Sequence, residues 1–172
     1  GSDLLVVGGP SRGAAPASSV YAALTATTAA WVPAVRGRVV ITGLDAGFHT
    51  TRTDGVTPAP GAGVFLRATL QWVAQGAGTG LYVSSTYSQS LTFLAGVAGS
   101  GITGSIPTTS SDAVSIVASH PILVGSTSAS LSNWTTAYHN TLSGYASTFT
   151  NLATSNSGAS VLIARSSQVC ER

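Results

Sequence analysis

Apolar residues along this chain fall into short unbroken runs and longer helical stripes. Leu4-Leu5-Val6-Val7 is an unbroken run that ends in Gly8-Gly9-Pro10-Ser11-Arg12-Gly13. A continuous run bounded by glycine predicts a strand buried on both faces of a parallel sheet, followed by a loop. From Pro16 to Trp31 the period changes. Val20, Leu24, Thr27 and Trp31 share one helical face, with Pro16 in the first turn, where its missing N–H does no harm. Arg38 to Thr42 is the second predicted strand, and it ends in Gly43-Leu44-Asp45-Ala46-Gly47-Phe48-His49. The polar, proline-containing stretch Thr50 to Gly63 reads as a long loop, a length that often accompanies function. Val64 to Gln75 gives the clearest helix. Leu66, Leu70 and Val73 form its apolar row with Phe65 and Trp72 beside it, Arg67, Gln71 and Gln75 form the opposite row, and Gly76-Ala77-Gly78 stops it.

Gly80 to Val83 is the third strand and runs into Ser84-Ser85-Thr86-Tyr87-Ser88. Ser88 caps a short helix through Leu91, Phe93 and Leu94, and Gly96 to Gly104 reads as loop. Ala113 to Val117 alternates as an edge strand, His120-Pro121-Ile122-Leu123 follows, and Gly125 is a break. Ser130 or Ser132 caps a predicted helix across Trp134, Tyr138, Leu142 and Tyr145. Ser147 to Ala153 and Ser160 to Ala164 are the last two strands, joined by the turn Ser155-Asn156-Ser157-Gly158. Strands alternating with helices predict β-α-β units, a parallel sheet and helices on both faces, in a single α/β domain over 1–172.

Composition narrows the functional classes. The chain has 172 residues, of which 44% are hydrophobic and only 7% charged, against roughly 25% charged in an ordinary soluble domain. Such a chain is neither disordered nor short of core material. No apolar run approaches the roughly 18 residues of a membrane span. A net charge of +2 is too small for a nucleic-acid footprint. The lone Cys170 gives no internal disulfide framework and no cysteine metal site. The chain opens Gly1-Ser2 without an initiator methionine or signal-peptide pattern, which reads as processing or excision from a longer precursor. A lysine-free, Ser/Thr-rich chain of low charge suits an extracellular or cell-surface setting.

The order of elements, with a strand ending Gly-x-Asp-x-x-x-His at Gly43 to His49, a Gly-x-Gly at Gly76 to Gly78 before the third strand, the His-Pro-Ile-Leu of His120 to Leu123 and a terminal β pair, resembles the class I glutamine amidotransferase-like superfamily, in its trehalose-utilisation-type branch. The stretches that carry the resemblance are Val39 to His49, Val64 to Ser85 and Ala113 to Ala164. The resemblance implies a flavodoxin-like, open, mostly parallel sheet in a three-layer sandwich, with ligands beyond the carboxyl ends of the strands. It also implies a cysteine on the turn after the third strand, then a catalytic His and Glu. Here that turn is Val83-Ser84-Ser85-Thr86, His120 is followed by Pro-Ile, and the only glutamate is Glu171. Glutaminase chemistry by the family route is therefore not expected.

The candidate site residues are few. Ser84 and Ser85 stand where the family nucleophile would be, but no Gly-x-Ser-x-Gly elbow surrounds them, and turn serines ordinarily satisfy loop backbone. Asp45 and His49 lie four residues apart beyond the end of a strand. Either they line a polar pocket, or Asp45 caps the local backbone and His49 bonds nearby. Two ligands do not make a metal site; a third would have to come from His139 or Asp54, and neither a metal nor a cofactor is expected. His120 reads as a structural loop residue held extended before its proline. His139 reads as a solvent or subunit-contact residue on a helix. Gly8 to Gly13 lacks the spacing of a phosphate loop. Asn133-Trp134-Thr135 is a glycosylation sequon in a secretory host. Trp31, Trp72 and Trp134 suggest a carbohydrate surface, but their stripes place them in the core. The resulting expectation is a non-catalytic binding or assembly module that forms a homo-oligomer or takes a small molecule or carbohydrate. The alternative is a small-molecule hydrolase or carbohydrate-binding domain using the loops at the carboxyl ends of the strands.

Overall fold

Four β-branched residues make up the second strand, and such side chains suit a pleated surface packed on both sides. In the computed structural model of the chain, residues 4–8, 36–51, 57–84, 102–105, 113–134 and 139–167 are described, with 4–8 and 103–105 described by backbone alone. The strands are β1 (Leu4–Gly8), β2 (Val39–Thr42), β3 (Gly80–Ser84), β4 (Thr103–Ser105), β5 (Val114–Ile116), β6 (Thr141–Ser143), β7 (Thr150–Ser155) and β8 (Ser160–Arg165). The helices are α1 (Ala46–Thr51), α2 (Pro60–Ala74) and α3 (Ser128–Ser132), with a 3-10 turn at Pro121–Leu123. Every residue of β2, β3 and β8 is buried. The predicted helices over 16–31 and from Ser88 to Leu94 lie outside the described residues.

The result is an α/β architecture on one eight-stranded sheet. β3 lies between β1 and β2, parallel to both, with Val7 and Ile41 opposite Val83. All five other pairings are antiparallel. The sheet is therefore mixed, and the expectation of a mostly parallel sheet does not hold for the described strands. The cause is local. A tight turn of five residues or fewer joins β7 to β8, and a connection that short permits only an antiparallel neighbour. β8 then lies between β7 and β2, whose registers both cross Leu162 to Ala164. β6 meets β8 at Ser160, just past the end of β2.

Three further elements differ from the sequence reading. The loop over Thr50 to Gly63 is shorter than expected, because α1 occupies 46–51 and α2 starts at Pro60, with proline in its first turn. Gly61 does not interrupt α2. A Cβ there would overlap the carbonyl of Ser130, so the glycine lets α3 approach. The inward face of α2 is Ala62, Phe65, Thr69, Trp72 and Val73, while Leu66 and Leu70 are only half-buried. That stripe is rotated by about one residue from the Leu66–Leu70–Val73 row. The third difference is the predicted helix from Trp134 to Tyr145. α3 ends at Ser132 and β6 occupies 141–143. The Trp134 indole N–H donates to the Ser130 carbonyl at 2.7 Å, taking an acceptor that a continuing helix would need. Trp134 and Leu142 keep their apolar role, since both are buried. Gly96 to Gly104, read as loop, contains the start of β4.

The core lies between the sheet and the layer made by α2, α3 and the 3-10 turn. Val40, Tyr82, Leu152 and Leu162 meet Phe65, Trp72, Ile122, Leu131 and Trp134 there. Among the described strands β5 lies at an edge, as expected, paired only with β7. Its outward amides are closed by side chains. Val114 N donates to Ser132 Oγ at 2.8 Å, and Ile116 N donates to Ser128 Oγ at 3.0 Å. Two serines four residues apart on one helix thus close an edge that would otherwise offer free amides to another strand.

Candidate functional site

The carboxyl ends of the neighbouring strands β2 and β3 bring Thr42 opposite Ser84. Beyond Thr42 the chain turns through Gly43 and Leu44 into α1. Gly43 N donates to Val161 O at 2.8 Å and Asn140 N donates to Gly43 O at 3.1 Å, so the turn is held on both sides. A Cβ on Gly43 would overlap the Asn140 carbonyl, which is the reason glycine is required here. Thr42 is fully buried. Its Oγ1 accepts from Leu44 N at 2.9 Å and lies 3.3 Å from Val161 O.

Asp45 stands one residue before α1. Its carboxylate accepts from the backbone N–H of Phe48, the N-cap arrangement that satisfies one of the free amides of a helix start. Burial nevertheless dominates, pushing its pKa up from 3.8 to about 6. Ser84 donates to Leu44 O at 3.2 Å, tying the end of β3 to the same turn. Tyr82 is on the same face of β3, two residues before Ser84. It is almost fully buried, with Ser84 beside its hydroxyl and the Asp45 charge near enough to act on it. Burial holds the phenol protonated well above its ordinary pKa, with Ser84 pulling the other way and the Asp45 charge adding a smaller push upward. The hydroxyl completes no hydrogen bond of ordinary geometry with a described residue.

His49 is on α1, and its ring is buried rather than facing an opening. Its centroid lies 5.1 Å from Phe48 and 5.5 Å from Trp134. Trp134 also meets Phe65 at 6.4 Å and His139 at 6.0 Å, the latter edge-on. His139 is fully buried, so its expected place at the solvent or a subunit contact is corrected. The described residues of the span predicted as helix are not helical at 139–145, and β6 draws this part of the chain into the sheet.

Asp45, Ser84 and Tyr82 are thus gathered at one corner, while His49 points into an aromatic cluster. Ser85 lies outside the described residues, as do Asp54, Trp31, Cys170 and most of the Gly8 to Gly13 stretch. Among the described residues no three His, Cys, Asp or Glu side chains come close enough to hold a metal ion. No described helix is long and apolar enough to cross a membrane. Asn133 is exposed at the C-terminal end of α3, with the next sequon residue, Trp134, buried. Trp72 is buried too, so neither described tryptophan presents an open face. His120 caps the 3-10 turn, its Nδ1 accepting from Ile122 N at 3.4 Å, which matches its reading as a structural loop residue.

Sequence reasoning passed over Tyr82 and Thr42, because both sit inside strands. A tyrosine in an apolar run is still a signal, since a buried phenol needs a partner. Comparison with protein-family models, with curated proteins and with solved structures gives no match.

Proposed function

We propose that this chain is a non-catalytic binding or assembly module of the extracellular space or cell surface. In this reading it is a flavodoxin-like, three-layer α/β sandwich of amidotransferase type that has lost the family nucleophile. One observation carries the non-catalytic part: Asp45, His49 and Ser84 each hold up the fold. Asp45 caps α1, Ser84 fastens β3 to Leu44, and His49 packs on Trp134. A nucleophilic serine needs its proton directed at a base, and this one gives it to a backbone carbonyl. The low charge supports assembly, because little charge must be desolvated when subunits pack.

Light scattering of the purified chain over a range of concentrations should show self-association. A strictly monomeric species at high concentration overturns the assembly reading. A screen of small esters and amides should show no turnover. Turnover that disappears in folded Ser84→Ala protein overturns the non-catalytic reading.

A second reading, a small-molecule hydrolase or a polar-ligand site at the strand ends, is favoured by the gathering of Asp45, Tyr82 and Ser84. A carbohydrate-binding role draws no support from Trp72 or Trp134, whose faces are covered. Alanine at Asp45 and His49 in correctly folded protein discriminates: lost ligand binding favours the site, unchanged binding the structural role.

A further inference from the structure

The serines that close the β5 edge run out before the extended chain does. Ser132 and Ser128 serve Val114 and Ile116. Before that helix begins at Ser128 the chain turns, and there Val124 presents a side chain with no hydrogen-bonding atom that is 71% exposed. Beyond Ile116 the chain continues through Val117 to His120 along one side of an open depression of about 480 Å³, with Leu123, Val124 and Ser126 on the other side. Its walls are more apolar than polar, and none of its lining residues bears a formal charge.

Three polar side chains border it: Ser119, which is exposed, and Ser126 and His120. Ser126 Oγ is buried and has no hydrogen-bond partner among the described residues. His120 Nδ1 accepts from Ile122 N, so the neutral ring carries its proton on Nε2 and is a donor there. Burial, then the charge of Arg38, lowers the pKa of His120 and favours that neutral form. Trp72 packs edge-on against the ring at 4.6 Å and fixes it.

We propose that this depression is a binding site for a small uncharged carbonyl compound, an amide, ester or ketone with a short aliphatic chain. The chain lies against Val117 and Val124, the carbonyl oxygen accepts from His120 Nε2, and the Ser126 hydroxyl, enclosed in the free protein, turns outward to become the second donor. Three physical points select this class. A buried hydroxyl without a partner gains most from a ligand that supplies an acceptor. A charged ligand would leave water for walls that return no opposite charge. The volume falls in the range of small-molecule sites. The site shares no residue with the Asp45 corner and goes beyond the function proposed above.

The test is a titration of the full chain, labelled with nitrogen-15, with butanamide, butyrate and butylammonium, which share one carbon frame and differ in charge. Butanamide should move the amide signals of residues 116–126 saturably, and the two ions should bind about tenfold more weakly. Ser126→Ala should weaken butanamide about fivefold or more. Equal response to the ions, unchanged affinity in Ser126→Ala, or shifts that never saturate would each overturn the site. Contacts between the butanamide methyl and the methyls of Val117 and Val124, read as nuclear Overhauser effects in the unsubstituted protein, test it without any variant. Their absence at saturation overturns it as well.

Discussion

Two corners of this molecule place polar side chains against backbone, and they differ in what is left over. At the end of β2, three polar side chains are engaged by the fold: Thr42 with Leu44 N, Asp45 with Phe48 N, Ser84 with Leu44 O. Beside β5, Ser128 and Ser132 are engaged in the same way, but Ser126 is not. The difference is that the first corner leaves over an enclosed phenol, whereas the second leaves over a hydroxyl at the edge of an open depression. The first corner carries the residues a motif search selects. The second carries none of them.

The sharpest way to break the first corner is at its glycine. Gly43→Ala places a Cβ on the Asn140 carbonyl, and both chains are pinned there by the bonds Gly43 N to Val161 O and Asn140 N to Gly43 O. Neither can retreat without losing a bond, so the substitution should cost about 3 kcal/mol or more in urea denaturation. Gly47, four residues on and with nothing near its missing Cβ, is the control. Gly47→Ala in α1 should stabilise by about 0.5–1 kcal/mol. Equal effects at the two glycines would mean that the Asn140 approach is not as close as described.

Asp45 gives the next effect, and its sign is specific. Its folded pKa of about 6 lies above the ordinary 3.8. Between those values the folded chain binds more protons than the unfolded chain, so stability falls as pH rises. The stabilising contribution is complete below about pH 4 and is lost through pH 6, a change of at most about 3 kcal/mol. Asn also caps helices well. Asp45→Asn should therefore flatten the slope between pH 4 and 6 and raise stability at pH 7.5, measured as urea midpoints across pH. A slope that persists in the variant assigns it to another group.

How much of this contrast was legible in the sequence follows from period and position. The strands β1, β2 and β3 were readable because an unbroken apolar run between glycines has few other uses. The β7–β8 pair was readable from its turn. α2 was found, but rotated by about one residue, because Leu66 and Leu70 outrank Thr69 in any hydrophobicity count, whereas the core accepts Thr69 and leaves both leucines half-buried. β6 was read as helix because Trp134, Tyr138, Leu142 and Tyr145 also fit a period of 3.6. What decides the matter is one indole N–H on the Ser130 carbonyl, which no periodicity contains. At the site, Asp45 was visible as a rare acid in a βα turn. The role of His49 was not, since an imidazole packed on Trp134 and one facing a ligand have the same sequence neighbours. Ser126 was invisible among many serines, because being unpaired is a property of three dimensions only.

The serine closure of β5 offers a smaller test of the second corner. Ser132→Ala leaves the Val114 amide without its acceptor, and Ser128→Ala does the same at Ile116. Each should cost about 1–2 kcal/mol, the penalty of an unsatisfied amide at a partly buried edge. The double variant should also aggregate in a concentration-dependent way, because an edge with two free amides can take up a second strand. Dynamic light scattering reads that directly, and a double variant that stays monodisperse would show that the two serines do not guard the edge.

The smallest expected effect separates the two corners most directly, because it concerns the same substitution at two serines. Ser84→Ala removes a donor from Leu44 O, so it should cost about 1 kcal/mol. Ser126→Ala removes a buried hydroxyl that has no partner, so the native state loses no bond. Its stability should stay within about 0.5 kcal/mol of the parent or rise slightly. Denaturation of both variants in one urea series makes the comparison. The direction matters more than the size: if Ser126→Ala costs as much as Ser84→Ala, its hydroxyl is already engaged. The depression beside β5 would then resemble the Ser84 end of β3, with its serine committed to the fold and unavailable to a ligand.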